Sequence, residues 1–174
     1  PIGSIYENSF LRKNNNKLGS LASKSEHQKL VNFICYCLNP NHYHFILEQL
    51  TDRGIEKFMQ RLGTGYTKYF NNKYRRNGSL FQGTFKATLI NSNDYLLYLS
   101  AYVNLNNKIH KLGSLASKLS KSSWEEYIGN DSKNFCSKNI ILKQFNSKEE
   151  YVEFAEEALT IITENKEAKK LLLE

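Results

Sequence analysis

Hydrophobic and polar positions alternate along this chain with two distinct periods. Leu30-Val-Asn-Phe-Ile-Cys-Tyr-Cys-Leu38 is a short run of mostly apolar and aromatic residues, which predicts a strand. Asn39-Pro40-Asn41 is turn chemistry, and His42 to Gln49 then reads as a second strand with Tyr43, Phe45, Ile46 and Leu47. The short connection predicts an antiparallel hairpin. From Asp52 to about Asn72 the period changes. Ile55, Phe58, Met59, Leu62, Tyr66, Tyr69 and Phe70 recur at three- and four-residue spacings and form one apolar stripe of a helix. Gly63 and Gly65 interrupt it and are expected to mark a bend or a close packing. Asn77-Gly78 is a turn, and Leu80 to Ile90 reads as a further strand on which Phe81, Phe85, Ala87 and Leu89 share a parity. Asn91-Ser92-Asn93-Asp94 offers caps for a helix running to about Asn107. Asn139 to Phe145 is a short apolar stretch. Ser147 and Glu150 form a capping box, followed by Tyr151, Phe154, Ala155, Ala158, Ile161 and Ile162 at helical spacing.

Composition adds a partner to this picture. The 174 residues, 40% hydrophobic and 13% aromatic, suffice for one sizeable core. The net charge of +7 points to a polyanion. It is unevenly spread: from Arg53 to Lys86 eight basic residues (Arg53, Lys57, Arg61, Lys68, Lys73, Arg75, Arg76 and Lys86) stand against one acidic, Glu56. Tyrosines and phenylalanines are interleaved with them. Such a surface suits single-stranded nucleic acid, whose backbone needs charge and whose unpaired bases need stacking platforms. A solvated helix over an aromatic core explains the composition equally well. The tail from Ser147 to Glu174 is acidic, with eight Glu and four Lys, and its helix is expected to pack on the domain or on a partner. No stretch reaches the apolar length of a transmembrane helix and none reads as a signal peptide. Cys35, Cys37 and Cys136 are an odd count without CxxC spacing, and Cys35 and Cys37, in an apolar strand, read as reduced core thiols of a cytoplasmic protein. Residues 1–25 are polar and turn-rich. They contain Lys17-Leu-Gly-Ser-Leu-Ala-Ser-Lys24, which returns identically at Lys111 to Lys118; neighbouring residues do not repeat, so this is no solenoid.

The candidate chemistry begins at His42 and His44. Strand alternation turns both imidazoles to one face, opposite Tyr43, Phe45 and Leu47. Such a pair can share a divalent cation, and it can equally be the polar face of a half-buried strand. On the helix beginning near Asn91, Tyr95, Tyr98 and Tyr102 lie on one face with Asn106 one turn beyond Tyr102. Periodicity alone does not choose among these tyrosines.

An ordered series of motifs does. His42-Tyr43-His44 is followed by Phe58-Met59 and Tyr66-Thr67-Lys68-Tyr69-Phe70-Asn71. Gly78-Ser-Leu-Phe-Gln-Gly83 with Phe85-Lys86-Ala87, Tyr102-Val-Asn-Leu-Asn106, Ser122-Ser123-Trp124 and Tyr127-Ile-Gly129 come next. The series, spanning Leu30 to Gly129, resembles the single-tyrosine HUH transposases, in particular their REP-associated branch. The resemblance implies an α+β, ferredoxin-like antiparallel sheet with helices on one face and a C-terminal helical extension. It implies a catalytic domain at residues 1–129, expected to lack its first strand, and an extension at 130–174. It makes Tyr102 the nucleophile and His42 and His44 metal ligands, with Asn106 in the place of a polar third ligand. It implies Mg²⁺ or Mn²⁺ as cofactor, and single-stranded DNA, hairpin-forming, as partner, with a homodimer as one expected assembly. The reaction implied is DNA transposition: cleavage and rejoining through a 5′-phosphotyrosine and a free 3′-OH. Thr84 stands where relatives carry arginine, and Asn107 where they carry proline, so the helix is expected to continue past Asn106. Two alternatives accompany this reading: a non-catalytic nucleic-acid-binding protein on the same scaffold, and a replication-initiator nickase, against which the motifs from Phe58 to Gly129 argue.

Overall fold

The computed structural model describes residues 28–109, 119–130 and 134–171. Both copies of the repeated octapeptide, Lys17 to Lys24 and Lys111 to Lys118, lie outside them. The hairpin forms as its pattern predicts: β1 (Val31–Leu38) pairs antiparallel with β2 (Tyr43–Gln49). Its turn closes with the Asn39 N–H donating to the His42 carbonyl at 2.8 Å, with Pro40 supplying the fixed φ. A two-residue strand, β3 (Lys121–Ser122), joins the free edge of β1 to give the order β2-β1-β3. With helices packed on this antiparallel sheet the class is α+β.

A bulge in β1 decides which helix meets which face. Phe33 pairs with Leu47 but Cys35 pairs with Ile46, so Ile34 is one residue too many. The extra residue reverses the parity of the strand. Before it, Val31 and Phe33 join Phe45 and Leu47 against Ile55 and Met59 of α1 (Gly54–Tyr74). After it, Cys35 and Cys37 join Ile46 on the opposite face, against Ala101 and Val103 of α2 (Asn93–Asn104). The helices therefore divide between the two faces of the sheet instead of sharing one.

Asn106–Ile109 forms a short α3, and Trp124–Ile128 (α4) and Asn139–Leu142 (α5) lead to the long α6 (Lys148–Leu171). The expected cap is present: the Glu150 N–H donates to Ser147 Oγ at 3.2 Å. The helix packs on the domain. Tyr151 and Ala155 are fully buried in the cluster that holds α2 to the sheet. The bulge itself is satisfied from the same quarter, with the Tyr127 hydroxyl donating to the Ile34 carbonyl at 2.9 Å and the Ser137 N–H to the Phe33 carbonyl at 2.7 Å.

Three further expectations fail. Leu80 to Ile90 is not a strand: among the described residues it has no ladder partner. It lies over α1 instead, with Phe81 against Tyr43 and Tyr66 and Phe85 against the α1 cluster. Of the residues that share a parity, Phe81 and Phe85 pack, while Leu89 is 71% exposed. Gly63 and Gly65 mark no close contact. The helix runs through them, and a Cβ built at either meets nothing within 4 Å. The helix of Tyr102 does not continue past Asn106. It stops at Asn104, Leu105 leaves helical geometry at φ −105° and ψ 11°, and α3 restarts beyond it.

Candidate active site

The turn and the α2–α3 break bring together residues about sixty positions apart. His44 lies on β2 opposite Cys37, and His42 lies just before the strand. Their rings stand 5.3 Å apart between centroids, inclined at 76°. The Tyr102 ring lies 5.4 Å from that of His44. Asn106, fully buried, directs its Oδ1 to within 3.2 Å of His42 Nε2. Of the three tyrosines on α2, Tyr102 is thus the one seated against the histidines. Tyr98 packs into the core cluster, and Tyr95 is 37% exposed in the first turn, where its N–H donates to the Ser92 cap.

Two asparagines that sequence reading assigned only to a turn complete the arrangement. Asn41 Oδ1 lies 2.7 Å from His42 Nδ1. A carboxamide oxygen can only accept there, so Nδ1 carries the proton, and in the neutral ring Nε2 presents its lone pair. Asn39 is buried, and its Nδ2 lies 3.0 Å from His42 Nε2 and 2.9 Å from Asn106 Oδ1. Its one amide group therefore donates into both lone pairs. Two lone-pair atoms 3.2 Å apart repel each other unless positive charge lies between them; the Asn39 N–H groups supply a partial charge. That spacing fits two adjacent ligands of an octahedral cation, which would be about 3.0 Å apart at bond lengths of about 2.1 Å. Two imidazoles and an amide oxygen are donors for Mn²⁺, and for Mg²⁺ with waters and phosphate oxygens completing the shell. Among the described residues no three His, Cys, Asp or Glu side chains gather as a metal group, so the oxygen of Asn106 would have to be the third protein ligand beside the two imidazoles. Asn106 Nδ2 is buried with no hydrogen-bond partner, a cost that an anionic or lone-pair neighbour on that side would relieve.

The eight expected DNA-binding cations are all exposed. Arg53, Lys57, Arg61 and Lys68 run along α1. Arg53 is partly neutralised by Glu56, with Nε donating to Oε2 at 2.7 Å, and Lys57 Nζ donates to the Asp52 carbonyl. Lys68 and Lys86 line a cleft of about 850 Å³ between α1 and residues 79–86, where Thr84 also lies. A second cleft, of about 670 Å³, is aromatic: Tyr43, Tyr66, Phe70, Tyr74 and Phe81 line it, with Lys121 at its lip. Lys73 stands over the Tyr69 and Tyr74 rings and Arg76 over Phe70 at 5.6 Å, so cations border the same aromatic surface. One wall of this cleft is the Asn39-Pro40-Asn41 turn that holds His42.

Comparison with known proteins gives one match. The family model described as "Transposase IS200 like" matches residues 4–106, from the first segment through the buried asparagine at the α2–α3 break. No curated protein and no solved structure matches the chain. No helix among the described residues is long and apolar enough to cross a membrane.

Proposed function

The chain belongs to the IS200-like transposases, and on that premise we propose that it cleaves and rejoins single-stranded DNA with Tyr102 as nucleophile. The observation that carries the reading is the convergence of His42, His44, Tyr102 and Asn106 from the β1–β2 hairpin and the α2–α3 break. A divalent cation held by the two imidazoles and the Asn106 oxygen would polarise the scissile phosphate and offset the charge developing on it. Tyr102 Oη attacks phosphorus and loses its proton, while the P–O3′ bond breaks and the 3′ oxygen takes up a proton. The products are a 5′-phosphotyrosine and a free 3′-OH. The reverse attack by a 3′-OH rejoins the strand, so no external energy source is required. Asn41 holds the His42 tautomer; the Asn39 N–H that donates to His42 Nε2 would give way to the cation there, while its bond to Asn106 Oδ1 keeps that amide turned toward the site. The aromatic cleft beside the turn supplies stacking surface for unpaired bases next to the scissile phosphate, and the cations around it supply phosphate contacts.

The test is incubation of the full chain with short single-stranded hairpin DNAs and Mn²⁺, resolved on a denaturing gel. A covalent protein–DNA adduct is expected, absent when Mn²⁺ is chelated and absent in His42→Ala and His44→Ala. A chain that binds these DNAs yet forms no adduct would make the non-catalytic binding protein the better account.

A further inference from the structure

The region after Ile109 lies beyond the matched family segment, yet its side chains reach the α2–α3 break. Asn104 is the last residue of α2 and stands midway between Tyr102 and Asn106. It is fully buried, and its amide is fixed at both ends. Its Oδ1 accepts from Ser123 Oγ at 2.5 Å, and its Nδ2 donates to the Tyr151 hydroxyl at 2.9 Å. The protons of this network can be ordered from donors and acceptors alone. Ser100 Oγ gives its proton to the Leu97 carbonyl at 2.7 Å, so the Tyr151 hydroxyl, 3.1 Å away, donates to Ser100. Ser123 Oγ in turn accepts the Tyr36 N–H of β1 at 2.9 Å. The chain of bonds therefore runs from the sheet through Ser123, Asn104 and Tyr151 to the body of α2, with every donor aligned in one sense. Tyr151 is held on its own account by Trp124, Tyr127, Phe145 and Phe154. Burial keeps its phenol well above the ordinary tyrosine range, so it remains a neutral hydroxyl.

We propose that Tyr151 is a positioning residue: through Asn104 it fixes the end of α2 and thereby the placement of Tyr102 against His44 and of Asn106 against His42. Leu105 and α3 are the point where the backbone changes direction, and the two proposed active-site side chains flank the pinned residue on either side. A misplacement near 1 Å at a reacting group can cost about 100-fold in rate, so a pin at this point has leverage that an ordinary core contact lacks. The proposal rests on the reading of Tyr102 as nucleophile.

The test compares Tyr151→Phe, which keeps the ring and removes the hydroxyl, with Ile141→Val, which trims the same buried core without touching the network. Two readouts are taken on the full chain. At saturating hairpin DNA and Mn²⁺, well below either melting temperature, Tyr151→Phe should lower the rate of adduct formation about tenfold or more, with the half-saturating DNA concentration within about twofold of the parent. Ile141→Val should leave both unchanged. In hydrogen–deuterium exchange without DNA, the peptide covering 101–109 should lose protection in Tyr151→Phe while β1 keeps it. Equal rates for Tyr151→Phe and the parent, or an equal slowing of both variants, would overturn the positioning role. If the parent itself forms no adduct, the nucleophile reading falls, and unchanged protection at 101–109 in Tyr151→Phe overturns the pin as well.

Discussion

The amide of Asn106 is the sharpest place to perturb the proposed metal site. Its oxygen accepts one hydrogen bond from Asn39 and faces His42 Nε2, while its nitrogen is buried without a partner. Asn106→Ala removes the oxygen and the unpartnered donor together. A net hydrogen bond contributes about 0.5–1.5 kcal/mol and a buried unpaired group costs about 1–3 kcal/mol, so the two losses largely offset. Without metal, the alanine variant should therefore melt close to the parent. Metal affinity should behave differently. Even groups that only orient a ligand change metal affinity about 10–100-fold, and a direct oxygen donor should matter no less. Mn²⁺ should bind Asn106→Ala at least about tenfold more weakly, or about 1.4 kcal/mol. Asn106→Asp keeps the shape, replaces the unpartnered donor with an acceptor and adds a negative charge. It should destabilise the metal-free protein, because a buried carboxylate lacks compensation, and bind Mn²⁺ more tightly than the parent. Calorimetric titration with MnCl₂, paired with thermal melts with and without the ion, measures both effects. Equal Mn²⁺ affinity in the parent and both variants would refute the placement of Asn106 among the ligands.

Further expectations concern the surface and the core. Neutralising Arg75 and Arg76 together should reduce the slope of log affinity against log salt for single-stranded DNA by about 1.4, at about 0.7 per phosphate contact; an unchanged slope would remove them from the interface. Gly63→Ala and Gly65→Ala should each stabilise the protein by about 0.5–1 kcal/mol in denaturant titrations, because a Cβ there meets nothing. Gly54→Ala should destabilise it, because its Cβ would approach the Leu30 carbonyl oxygen within van der Waals contact. Burial pushes the Cys37 thiol up to about 11 and raises that of Cys35 too, so both should resist a thiol reagent at pH 8 until the chain unfolds. The sign follows from the neutral form being favoured in the fold: this contribution to stability is present below the ordinary thiol value of 9.0 and is lost as pH rises through about 11.

Much of this fold was legible because its local signals agree with its packing. The hairpin, α1, α2 and the capped α6 all follow from period, turn and cap residues. The parity of His42 and His44 was readable because β2 is regular; that of β1 was not, because Ile34 carries no sign of a bulge. Leu80 to Ile90 misled because apolar alternation serves a segment draped over a helix as well as one in a ladder. The pairing of Tyr102 with the histidines came from motif order, since Tyr95 and Tyr98 share its helix face. Asn39, Asn41 and Asn104 were invisible as site residues, because an asparagine in a turn or at a helix end is ordinary chemistry until its partners are known. The unequal roles of the cations were also hidden, since Glu56 claims Arg53 and aromatic rings receive Lys73 and Arg76.

The account turns on one hydroxyl. Tyr102→Phe keeps the ring against His44 and removes only the proposed nucleophile, whereas Tyr98→Phe and Tyr95→Phe alter rings that do not face the histidines. The decisive measurement is mass spectrometry of the DNA-linked peptide after proteolysis of the adduct, carried out on the parent and on these three variants. The account predicts a phosphodiester on Tyr102 in the parent, in Tyr98→Phe and in Tyr95→Phe, and no adduct in Tyr102→Phe despite undiminished DNA binding. An adduct that persists in Tyr102→Phe, or one mapped to Tyr98 in the parent, would contradict it.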